Sequence, residues 1–400
     1  MKQVFIVLAL VVLLASTVSA QKVIPDLPRE RTIGQIEPVA YFNGPQPAGI
    51  TVSQTGRIFV TFPRYGDDPV NFTMAEVKSG RAVAYPNGSI NRANKERLSE
   101  SLISVQSAVV DAEDRLWMLD SGFFKLGDST SLGGPKLVGV DLKQNRVFKT
   151  IIFPRDVALP TTFLNDLRVD LRRGKEGVAY ITDAAFGGPW AIIVVDLASG
   201  KSFRRLGNHP STQAEPGFMA VVEGEAFMNR PPQGAPTPVR GGVNGIAISA
   251  DGKRLFYCPF SSRRLYSVST DALVDEAMSE AQVVQTVVNH GEKGASGGLE
   301  SDSMNRIYVT NNEYNAIRRR LTDGSYETLV YDPRVLWPDT LTVASDGYLY
   351  FTVAQFHRRA AFHQGKDLRQ KPYTLWRIRV DASPVLLKRD GRLSNNATGV

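Results

Sequence analysis

Asn165, Asn244 and Asp339 each stand second in a seven-residue segment of one recurring shape, and two neutral amides with one carboxylate can do two kinds of chemistry. Such oxygens suit Ca2+, Mg2+ or another divalent ion, with water completing the shell. Alternatively the lone carboxylate holds an ammonium group by a charge-assisted hydrogen bond while aromatic rings cover the organic part of a ligand. The segments are Pro47-Ala-Gly-Ile-Thr-Val-Ser53, Val105-Gln-Ser-Ala-Val-Val-Asp111, Leu164-Asn-Asp-Leu-Arg-Val-Asp170, Val243-Asn-Gly-Ile-Ala-Ile-Ser249, Ser296-Gly-Gly-Leu-Glu-Ser-Asp302 and Pro338-Asp-Thr-Leu-Thr-Val-Ala344. Their second residues are Ala48, Gln106, Asn165, Asn244, Gly297 and Asp339, so Gln106 joins the polar set. Asn and Asp also serve simply to satisfy turn backbones. Recurrence in phase argues instead for a shared site. Candidate ring walls are Phe186, Tyr314 and Phe356, together with Phe123, Phe124, Trp190, Phe260 and Trp337.

Positioning such a set requires elements that converge. Each segment leads through a short polar turn into a second apolar strand: Arg57-Ile-Phe-Val60, Arg115-Leu-Trp-Met118, Val178-Ala-Tyr-Ile181, Arg254-Leu-Phe-Tyr257, Arg306-Ile-Tyr-Val309 and Tyr348-Leu-Tyr-Phe351. Gly, Asp or Asn stands near each reversal, as hairpins demand. Further strands follow in some units, for example Pro135 to Leu142 and Arg146 to Phe153. Four strands per unit make a propeller blade, and six units over residues 36 to 381 predict an all-β, six-bladed β-propeller. Its innermost strands surround a channel, and the second residues of the segments should meet near one mouth. The insertion from Asn208 to Gly242 is expected to fold over one face, and helix is expected only around Asp271 to Gln282.

Composition sets limits on partners. The 400 residues are 42% hydrophobic and 22% charged, which specifies a folded chain. Lys and Arg number 47 against 40 acids, giving +7, but the excess is scattered and no nucleic-acid motif accompanies it. The expected partner is a small molecule, not nucleic acid. Lys2, the apolar run Val4 to Ala15 and the small residues Ser16 to Ala20 read as a signal peptide over 1–20. A propeller domain over 21–381 and a loosely ordered tail over 382–400 should follow. The mature chain is expected to be secreted, extracellular or periplasmic, without membrane insertion, because no later apolar run reaches the roughly 20 residues a bilayer needs. Cys258 is the single cysteine, so no intrachain disulfide can form, and its apolar strand suggests a buried thiol. Gly294-Ala-Ser-Gly-Gly298 matches G-x-S-x-G but lacks the following helix of a nucleophile elbow, and the four histidines form no zinc motif. Asn71-Phe-Thr, Asn87-Gly-Ser and Asn396-Ala-Thr fit N-glycosylation sequons.

The stretch Gly245-Ile-Ala-Ile-Ser followed by Leu255-Phe-Tyr-Cys-Pro-Phe-Ser-Ser-Arg-Arg-Leu-Tyr-Ser-Val-Ser-Thr-Asp-Ala-Leu273 resembles the signature of the major royal jelly protein and Yellow family. Pro135 to Leu142, Leu164 to Asp170, Tyr180 to Ala184 and Trp337 to Val343 share the likeness. The resemblance implies a secreted six-bladed propeller that carries small molecules such as biogenic amines, converts dopachrome in a tautomerase-like manner, or serves a nutritive or structural role. A more distant resemblance is to gluconolactonase and regucalcin propellers, whose metal is held by a Glu, two Asn and an Asp. Asn165, Asn244 and Asp339 match three of those places, and the Glu place falls on Ala48. That resemblance implies Asp339 as catalytic base toward a metal-oriented water. The leading expectation is therefore an aromatic or amine ligand at the central mouth, contacted by Gln106, Asn165, Asn244, Asp339, Phe186, Tyr314 and Phe356. The alternatives are a metal-dependent, gluconolactonase-like hydrolase and a structural protein without ligand.

Overall fold

The computed structural model describes residues 30–389. The expected signal peptide over 1–20 and the sequon at Asn396 lie outside them. Six four-stranded antiparallel sheets follow one another along the chain, as the repeat predicts; two small two-stranded ribbons lie in the insertion. The first five blades run over 50–84, 105–152, 164–205, 243–292 and 299–331, each in simple up-and-down order. The sixth combines Pro338–Val343, Tyr348–Val353 and Tyr373–Arg379 with the early strand Glu37–Phe42, which pairs with Tyr373–Arg379 and closes the ring. Closure leaves the propeller with no open seam.

Local chemistry sets the hairpins. Asp111 Oδ1 accepts from the backbone N–H groups of Glu113 (2.9 Å) and Arg115 (3.0 Å), and Asp302 Oδ1 does the same for Met304 and Arg306. Ser53 and Ser249 use their hydroxyls in the corresponding turns. Each turn also needs a left-handed residue, supplied by Gly56 (φ 83°), Asp114 (φ 58°), Gly252 (φ 63°), Asn305 (φ 61°) and Gly347 (φ 82°).

The core lies between blades. Trp117 and Leu119 of the second blade meet Leu167, Ile181 and Ile193 of the third, and Tyr180 and Ile192 of the third meet Ile246 and Tyr257 of the fourth. Each buried side chain of this size contributes about 1.5–3 kcal/mol. Cys258 is buried among Ala247, Leu265, Leu299 and Val309. The helical stretch resolves into two short helices, Thr270–Val274 and Glu280–Val284. Of the C-terminal segment, residues 382–389 are described: Pro384 bridges to Asp302, and the carbonyl of buried Leu387 accepts from Leu171 N at 3.2 Å.

Candidate functional site

The innermost strands break register where the polar residues stand. Pairing shifts between Val105 and Ser107, between Leu164 and Leu167, between Val243 and Gly245, and between Pro338 and Leu341. Gln106, Asn165, Asn244 and Asp339 are thus bulge residues, released from the ladder and turned toward the channel. The bulges also free backbone N–H groups, which threonines of the neighbouring strand satisfy. Thr182 Oγ1 accepts from Asp166 N (3.1 Å) and donates to the Asn244 carbonyl of the next blade (2.6 Å). Thr61 joins Gly49 N to Gln106 O, and Thr352 joins Thr340 N to Ala48 O, in the same way. In the fourth blade Cys258 holds this place, with Sγ 3.9 Å from Ser296 O.

The ring that results is connected on one side. Tyr65 OH donates to Gln106 Oε1 (2.9 Å), Gln106 Nε2 to Asn165 Oδ1 (3.4 Å), and Asn165 Nδ2 to the Asn244 carbonyl (3.3 Å). The other side is open to a ligand. A methyl built on Gly297 would lie 3.5 Å from Asp339 Oδ1, 3.7 Å from Asn244 Oδ1 and 3.9 Å from Asn312 Nδ2. The buried Asn312 Oδ1 has no hydrogen-bond partner. Among the described residues, no donor and no cation reaches the Asp339 carboxyl. Desolvation, reinforced by the negative charge of Asp166, pushes its pKa up to about 7. The side chain retains some exposure to the channel even though protein surrounds it.

An aromatic layer covers this chamber. Phe227, from the insertion, lies 5.0 Å from Trp337 and 4.6 Å from Phe362, with Phe260 and Phe356 completing the cluster. The insertion and residues 354–372 of the sixth blade interlock: Arg230 N donates to Ala361 O, Gln364 N to Arg230 O, and Glu223 pairs with Arg358. Burial lowers the His357 pKa to about 4, so at neutral pH it meets Glu223 as a neutral imidazole.

The structure brings together Gln106, Asn165, Asn244 and Asp339, with Phe356 above them and Phe186 at the rim, stacked on Phe163 at 5.8 Å. Tyr314 is the exception. It is 67% exposed, and its ring makes none of the aromatic contacts that join the others. Tyr65 and Asn312 were not singled out from the sequence. Asn312 lies just past the second strand of its blade, in register with Phe260, and that shared place was its available signal.

The donor set is a poor match for a divalent ion. Ala48 is fully buried where a second carboxylate would be needed, Asn165 Oδ1 is engaged by Gln106, and only Asp339 brings charge. Among the described residues no cluster of three His, Cys, Asp or Glu could hold a metal.

The family model of the major royal jelly proteins matches residues 103–383. The chain belongs to the major royal jelly protein family. Major royal jelly protein 7 of Apis mellifera is 29% identical over 245 residues, covering 58% of this chain and 51% of that protein. Protein yellow of Drosophila erecta is 26% identical over 250 residues, covering 56% of this chain and 41% of the relative. The matched stretch thus spans about half the length of these relatives. Among solved structures, the calcium-binding protein regucalcin of Agrobacterium tumefaciens superposes with a TM-score of 0.53 at 14% identity, covering 90% of this chain and 97% of that one. A gluconolactonase of Xanthomonas campestris gives 0.50 at 10% identity, covering 88% and 95%. At these identities the royal-jelly-type propeller shares their fold, and its chemistry must be argued from its own residues.

Proposed function

We propose that this is a secreted royal-jelly-type propeller that binds a small aromatic amine in the central chamber. One observation carries the reading: an enclosed carboxyl that no donor among the described residues reaches, with Asn244 Oδ1 on the same side of Gly297. Such an acceptor-rich space suits an ammonium group, which brings several N–H donors and a positive charge. The aromatic layer offers faces to the organic part. Secretion rests on the leader-like residues 1–20 and on membership of the royal jelly protein family.

Titration calorimetry with tyramine tests this. Losing one charge-assisted hydrogen bond costs about 1.5–3 kcal/mol, so Asp339→Asn should weaken binding roughly ten- to a hundredfold. Gly297→Ala should also block it, because the added methyl fits at ordinary contact distance while occupying the space beside Asp339. Unchanged affinity in both variants would overturn the reading in favour of a structural role. A second reading draws on the Asp339 pKa of about 7, which suits a group that takes and returns a proton near neutrality, as a dopachrome-converting, tautomerase-like step requires. Turnover of dopachrome by the wild type, lost in Asp339→Asn, is its test.

A further inference from the structure

Outside the aromatic layer lies a second concavity, a cleft of about 480 Å³ lined by Tyr65, Asp67, Lys125, Phe186, Arg240 and Phe356 among others. Its walls are rings: Phe186 is 44% exposed, and Tyr65 meets Phe356 edge to face at 6.0 Å. An exposed Phe beside further rings is an unfilled stacking surface. The charge of the cleft is unbalanced. Among the described residues Asp67 is its only lining acid, and Arg359 already neutralises it while lying over the Tyr65 and Phe356 rings at 5.1 and 5.0 Å. The side chains of Lys125 and Arg240 have no hydrogen bond or ion pair among the described residues, so two positive charges remain. Lys125 is placed rather than splayed, because its stem crosses Gly66 so closely that a Cβ there would meet Lys125 Cγ at 2.6 Å.

We propose that this cleft is a separate binding site for an aromatic carboxylate, its ring against Phe186 and its anionic group on Lys125 and Arg240. The cleft favours the opposite charge from the chamber behind Tyr65, and the proposal stands whether or not the chamber binds an amine. A ligand in the cleft would touch the ring of Tyr65, whose hydroxyl holds Gln106, and so would reach the polar ring through one side chain.

Titration of the full chain with indole-3-acetate, with its neutral amide indole-3-acetamide and with acetate tests the assignment. Indole-3-acetate should bind, and the other two should bind at least tenfold more weakly. Its affinity should fall at least tenfold between about 50 mM and about 500 mM salt, because exposed charges are screened. Lys125→Glu combined with Arg240→Glu should abolish binding at an unchanged melting temperature, since both residues are exposed. Phe186→Ala should weaken binding while leaving its salt dependence in place. Equal affinity for indole-3-acetamide, equal affinity for acetate, or an unaffected charge-reversal variant would each overturn the proposal.

Discussion

The two levels of the central channel both bury acids, and they treat them differently. At the lower level Arg168 faces Asp166 (3.3 Å) and Glu300 (3.5 Å) and donates to the Leu299 carbonyl at 2.7 Å. Ser107 Oγ donates to Asp166 at 2.7 Å, and Ser301 N donates to Glu300. Desolvation lifts both carboxyls above the ordinary range, while the two acids hold Arg168 firmly protonated. Residues 384–387 help to line a small cavity of about 60 Å³ beside these groups. At the upper level Asp339 has neither arginine nor donor among the described residues. Charges that are mutually satisfied hold blades together, whereas a carboxyl left without a partner has binding capacity to spare.

Removing the lower cation should have the largest effect. Arg168→Ala leaves two buried carboxyls uncompensated and should cost about 3–5 kcal/mol, read as a lower urea midpoint. The loss should shrink in acid, where both carboxyls carry protons. Unaltered stability would erase the contrast between the levels.

At the upper level the sign reverses. Because folding raises the Asp339 pKa, the folded state retains a proton that the unfolded state releases, and stability falls as pH rises from about 4 to about 7. Asp339→Asn should therefore stabilise the protein above pH about 7, by up to about 4 kcal/mol, lessened by water in the channel. Urea melts across pH would show it; a destabilised Asp339→Asn would mean the carboxyl has a partner. By the same linkage, the affinity for an amine that stays charged should rise up to tenfold per pH unit below about 7 and level off above it. A flat profile would remove Asp339 from the site.

The smallest effect concerns the threonines. Thr182→Val deletes the hydroxyl between Asp166 N and Asn244 O and should cost about 1–3 kcal/mol, since a buried N–H loses its partner. It should also weaken tyramine binding by shifting Asn244. A thermal shift with intact binding would make the threonine a structural residue only.

Much of this was legible beforehand. The repeat of Val105 to Asp111 or Val243 to Ser249 specified blades, because short apolar strands recurring in phase, each followed by a turn residue free of steric penalty, form hairpins that must bury one another. The family was visible in the block from Leu255 to Leu273. The rotation of Gln106, Asn165, Asn244 and Asp339 toward the axis was legible as recurrence but not as mechanism, since a bulge is defined by what lies opposite it. Thr61, Thr182 and Thr352 also recur in phase, and their spacing was available though their role was not. Tyr314 shows the limit: its type and place matched the other rings, yet its turn leaves it apart from them.

Sequence alone therefore determined the number of blades, the family and which side chains could face the axis, because periodicity and turn chemistry are local. Tertiary structure alone decided which acids are answered. Among the described residues, Arg168 reaches Asp166 and Glu300, Asp339 has no such partner, and the Lys125 and Arg240 side chains are unpaired in the cleft that Phe186 lines. Those distinctions arise between blades distant in the chain, where distance and desolvation set the charge balance.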